Sequence, residues 1–175
     1  MTDISISLLI QSLGVLGVIG SLIFVGIEVK QNSVAVRAAS NSTVAEAFRE
    51  LNLVMASNTD LARALAAAGQ DPTTLSLQDR VIVLAFWRAL FHVWSNGHRQ
   101  HLNGTLDPAL WESVVQEMSV YGGKAGTDHI DQMDGRRRMA RWAWESERFV
   151  YNPDFQAFFD DLLGIERKPG DSLTP

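Results

Sequence analysis

The chain has 175 residues, no cysteine, and a net charge of −5 from 15 Lys and Arg against 20 Asp and Glu. Without thiols there is no disulfide framework, thiolate metal site or cysteine nucleophile. The negative balance argues against nucleic acid as a partner, because phosphate binding needs a basic surface. Helix formers dominate and strand-like alternation is scarce, so the expected fold class is all-α: an N-terminal transmembrane helix, able to run on as a stalk, then a small helical bundle.

No charged side chain stands between Asp3 and Glu28, which leaves an uncharged run from Ile4 to Ile27. As a helix this run spans about 36 Å, against a hydrocarbon core of about 30 Å. Its polar side chains are few: Ser5, Ser7, Gln11, Ser12 and Ser21. Serine bonds back to its own helix, and Gln11 lies near one end. A cleaved signal peptide would carry a positive segment before the run, where only Asp3 stands. Lys30, Arg37 and Arg49 follow the run, and that bias places the C-terminal part in the cytoplasm. Gly14, Gly17, Gly20 and Ser21 make a small-residue face on which one span can pack against another. The expected organisation is a membrane anchor over 1–30, a helical domain over 31–164 and a flexible tail over 165–175.

From Lys30 to Ser57 no proline or glycine interrupts the chain, and Val44, Ala47, Phe48, Leu51 and Val54 recur at helical spacing. Asn41, Ser42 and Thr43 are candidates to break this helix or cap a new one. Asn58 or Thr59 caps a short helix ending at Gly69, and Pro72 marks a turn. Ser76, with Asp79 three residues on, opens a helix through the apolar run Val81–Trp94 to Leu102, where Asn103-Gly104 stops it. Asp107-Pro108 starts the next helix, which ends near Tyr121. Residues 124–135 read as a polar loop. Arg136–Val150 is helical, and Asn152-Pro153 starts a last short helix through Leu163.

Three constellations carry charge in suggestive places. His98 and His101 share a helix face, but Arg99 stands between them and no glutamate completes a zinc motif, so no metal or other cofactor is expected. Arg88 and His92 interrupt the most apolar helix, and Asn96 and Gln100 extend their face. Either they line a polar pocket, or Arg88 pairs internally with one of Glu46, Glu50, Glu145 and Glu147. Arg136, Arg137, Arg138 and Arg141, with Arg148, lie on a helix with tryptophans, a composition suited to anionic lipid headgroups. The bland reading buries Trp142 and Phe149 in the core and leaves the arginines solvated or paired. Serine-nucleophile, phosphate-loop and dinucleotide signatures are absent.

The order SLIFVGIEVKQN, ELNLVMASNTDLARAL, NGHRQHLNGTLDPALW and ERFVYNPDFQAFFDDLL resembles a family of small, uncharacterised bacterial proteins with one membrane helix. The resemblance covers most of the chain, although residues 123–135 are longer than it leads one to expect. It implies an architecture and a single-pass place in the bacterial inner membrane, and no catalytic residues. The expected function is non-enzymatic: a membrane-anchored interaction or accessory module. Its partners would be membrane lipids and a second copy of the chain or another membrane protein. The alternatives are a ligand-sensing or enzymatic domain with a pocket at Arg88 and His92, and a soluble helical oligomer.

Overall fold

The computed structural model describes residues 2–122 and 131–166. Among them are six α-helices and no strand: α1 (Thr2–Ser57), α2 (Thr59–Gln70), α3 (Leu77–Leu102), α4 (Pro108–Gly122), α5 (Asp131–Glu147) and α6 (Pro153–Leu162). The fold is all-α, a long apolar N-terminal helix followed by a helical bundle. The chain divides into two compact units, residues 1–39 and 40–175, so the boundary falls nine positions later than position 30.

The first unit is helical from Thr2. Every residue from Leu13 to Ala39 is exposed, including Leu16, Leu22 and Phe24. Among the described residues α1 is the one helix long and apolar enough, by length and composition, to cross a membrane.

The second unit begins inside α1. Asn41, Ser42 and Thr43 do not break the helix, contrary to the expectation from their capping propensity. Asn41 instead turns its side-chain oxygen outward to accept the Asp107 N–H at 3.1 Å. Val44 is buried, with Phe48 and Leu51 packed beside it. The other helix ends follow local chemistry. Asn58 accepts the Leu61 N–H at 3.0 Å, Ser76 the Asp79 N–H at 3.1 Å, and Asn152 the Phe155 N–H at 2.8 Å. Each satisfies a backbone donor that the first helical turn leaves over. Asp107 does the same for Ala109 at 2.9 Å, with Pro108 at the first helical position. Both α3 and α6 stop on a glycine in the left-handed region, Gly104 at φ 67° and Gly164 at φ 64°. The N–H of the following residue then reaches back to a carbonyl, Thr105 to Gln100 and Ile165 to Asp160. Ile165, within the expected tail, packs on the core. Residues 167–175 of that tail and the first part of the expected loop, 124–130, lie outside the described residues. The remainder of that loop is helical, because α5 begins at Asp131.

The core is aromatic. Trp87, Phe91 and Trp94 of α3 meet Trp144 of α5 and Phe155 and Phe159 of α6, with Trp144–Phe159 ring centroids 4.8 Å apart. Such offset and edge contacts add about 0.5–1.5 kcal/mol per pair beyond area burial. On α5 the buried face is Met139, Ala140, Ala143, Trp144 and Glu147. Of the two aromatic side chains expected in the core, Trp142 packs against it half-buried and Phe149 does not reach it. Trp142 is half-buried under Arg80, whose guanidinium lies 6.0 Å from its ring. Phe149 and Val150, in the 3₁₀ turn Arg148–Val150 that follows α5, are exposed.

Candidate functional site

A cleft of about 800 Å³ opens in the second unit. The last turns of α1 supply Phe48, Leu51 and Met55 to one wall, and the end of α2 supplies Leu65 and Gly69. Trp87 and Leu90 of α3 form the floor, with Met139 of α5 beside them. Glu117 and Tyr121 come from α4 and Arg136 and Arg138 from the start of α5.

The polar groups of this cleft differ in what already holds them. Arg138 donates to the carbonyls of Gly69 at 3.2 Å and Gln70 at 2.9 Å, so it caps the C-terminus of α2. The same crossing brings Gly135 so close to the Gly69 carbonyl that no Cβ fits there. Glu117 and Tyr121 lie four apart on one helix face. The Tyr121 ring stands edge-on to Trp87 at 5.3 Å. Burial and then the nearby Glu117 raise the Tyr121 hydroxyl above its usual pKa, against a lowering pull from Arg136. Glu117 is exposed at the rim, yet the protein around its carboxyl raises its pKa as well, since a low-dielectric surround disfavours the charged form.

The residues singled out from the sequence fall elsewhere. Arg88, His92, Asn96 and Gln100 do not converge. Arg88 donates twice to Glu147, Asn96 accepts from Arg99 at 3.0 Å, and the His92 ring lies 5.1 Å from Tyr151. The Gln100 carbonyl accepts from the Thr105 hydroxyl at 3.1 Å. None of the four lines the cleft, and of the two readings of Arg88 the structure has the internal pair, with Glu147. Tyr151 seals that region by donating its hydroxyl to the Arg88 carbonyl at 3.1 Å. Burial, then Glu147, pushes the pKa of this hydroxyl well up.

His98 is buried, stacked on Phe158 at 4.8 Å, while His101 stacks on Trp111 at 4.8 Å. Both imidazoles are therefore packing elements. Among the described residues no three His, Asp or Glu side chains gather as a metal site would require. Of the arginines, Arg141 pairs with Glu145 at 3.3 Å and Arg148 with the buried Asp160 at 2.8 Å. Asp160 also accepts the Trp144 indole N–H at 2.7 Å. Arg136 stays exposed at the cleft rim, and Arg137 is half-buried. Gly14, Gly17 and Gly20 have open space where a Cβ would point.

Sequence reasoning missed Glu117 and Tyr121. Their signal was an acid and a phenol at i and i+4 on one helix, but nothing in the sequence says that α5 would bring Arg136 to them. Comparison with protein-family models, with curated proteins and with solved structures finds no match to this chain.

Proposed function

We propose that this protein is a non-enzymatic interaction or accessory module held in a bacterial inner membrane by α1, with its helical domain in the cytoplasm. The observation that carries this reading is the outer surface of α1 from Leu13 to Val29. Large apolar side chains are exposed around the whole helix, for example Leu22 at 66 % and Ile23 at 60 %. Monomeric soluble proteins rarely leave so extended an apolar surface in water, and a bilayer covers it without further structure. Lys30, Arg37 and Arg49 follow this surface and support the cytoplasmic placement of what comes after. Gly14, Gly17, Gly20 and Ser21 allow a second span to approach closely, which favours a second copy or another membrane protein as partner. Of the basic residues offered to anionic lipid, Arg136 remains the better candidate: it is exposed, whereas Arg138 and Arg141 are engaged with the end of α2 and with Glu145.

The test is fractionation of cells expressing the chain with a C-terminal reporter active in one compartment only. Retention after a carbonate wash with a cytoplasmic signal is the expected result. Soluble recovery would sink the anchor and favour the soluble oligomer, and a periplasmic signal would reverse the orientation.

A further inference from the structure

Two opposite charges share the rim of the cleft without meeting. Glu117 on α4 and Arg136 on α5 both act electrostatically on the Tyr121 hydroxyl. Among the described residues neither of them makes a hydrogen bond or ion pair. An arginine and a carboxylate that can close on each other gain charge-assisted hydrogen bonds. Here they stand on separate helices at the rim of a cleft whose accessible apolar wall includes Leu51, Met55 and Phe86. The volume lies within the range of small-molecule sites.

Each charge also excludes a class of ligand. A purely anionic molecule suits Arg136 and is repelled by Glu117, and a purely cationic one meets the reverse. An uncharged apolar molecule makes use of neither charge and gains only the apolar contact. We propose that this cleft binds a zwitterionic small amphiphile, its ammonium on Glu117, its anionic group on Arg136 and its apolar body against Leu51, Met55 and Phe86. Two sources present that chemistry, a free apolar amino acid and an ethanolamine phospholipid. The site does not depend on the anchor reading, since all its residues lie in the second unit.

The test is calorimetric titration of the full chain, held in a lipid-free amphipol, with L-phenylalanine, phenethylamine and phenylpropionate. Saturable binding of phenylalanine is expected, about tenfold tighter than either singly charged analogue. Glu117→Gln should reduce phenylalanine to the level of phenylpropionate, and Arg136→Gln to that of phenethylamine. Both side chains are exposed, and circular dichroism should show both variants as helical as the parent. Displacement of phenylalanine by a short-chain phosphatidylethanolamine assigns the lipid source, and failure to displace it assigns the amino acid. Either result upholds the site. Absence of saturable binding by both zwitterions, equal binding of the three titrants, or binding that neither variant changes would overturn it.

Discussion

Arg88 and Glu147 are 59 residues apart and meet through two parallel hydrogen bonds, Nε to Oε2 at 2.7 Å and Nη2 to Oε1 at 2.9 Å. The pair is lopsided: the Arg88 side chain is 53 % exposed and that of Glu147 5 %. The solvated partner thus serves the buried one. Removing the arginine leaves a buried carboxylate with its main donor gone, whereas removing both charges leaves no orphan. Arg88→Met should lower stability by about 2 kcal/mol, a value below that of a fully buried pair because water still reaches this side. Adding Glu147→Gln should recover part of the loss. Chemical denaturation of both singles and the double completes the cycle, and additive losses would rule out direct coupling.

The Trp144–Asp160–Arg148 group ties α5, its 3₁₀ extension and α6 together at 2.7 Å and 2.8 Å. Asp160→Ala should cost about 2–3 kcal/mol, because it strips a buried indole N–H and a half-buried guanidinium of one acceptor. Asp160→Asn should cost less, since the amide oxygen still accepts from Trp144. Equal melting temperatures for the two variants would contradict this ordering.

His98 has its pKa pushed below 6.5 by burial and then by neighbouring His101, while Asp154 pulls the other way. The unfolded chain therefore binds the proton at higher pH than the folded one. The stabilisation is complete above about pH 6.5 and is lost as the pH falls through the lower folded value. His98→Phe keeps a ring on Phe158 and removes the proton site. Its denaturation midpoint should fall less between pH 7 and pH 5 than that of the parent. Parallel slopes would show that His98 does not titrate differently on folding.

Gly135 faces the Gly69 carbonyl where α5 crosses the end of α2. Gly135→Ala should destabilise by about 1–3 kcal/mol, the range for forcing extra volume into a packed contact, despite the better helix propensity of alanine. Gly17→Ala, with open space around it in the isolated chain, is the control. An equal or higher melting temperature for Gly135→Ala would remove the argument for a tight crossing.

Much of the fold was legible because helix ends are written locally. Asn58, Ser76-Asp79, Asn103-Gly104, Asp107-Pro108 and Asn152-Pro153 each act through atoms within a few residues, so the pattern alone reveals them. What stayed hidden depends on partners distant in the chain. Asn41 has the composition of a cap, and only Asp107 makes it a mid-helix acceptor. Trp142 and Trp144 look alike in sequence, and two residues of α-helix turn them about 200° apart, so that Trp144 is fully buried and Trp142 only half. Glu147 was one of four acidic candidates for Arg88, and no spacing rule selects among helices not yet packed. The cleft was invisible for the same reason, since five helices contribute to it.

The unbroken course of α1 has a practical consequence. A helix interrupted by glycine or proline would show where one surrounding ends and the next begins, and α1 has neither between Lys30 and Ser57. Only the neighbours of its side chains change, at Ser40. Anyone trimming the apolar segment to obtain a tractable protein would be tempted to cut at the visible helix end, Ser57. That cut would remove Val44, Phe48 and Leu51, a wall of the bundle, along with the Asn41 acceptor that steadies the start of α4. The chain is better severed at Ala39, in the middle of a regular helix, where the eye finds no seam.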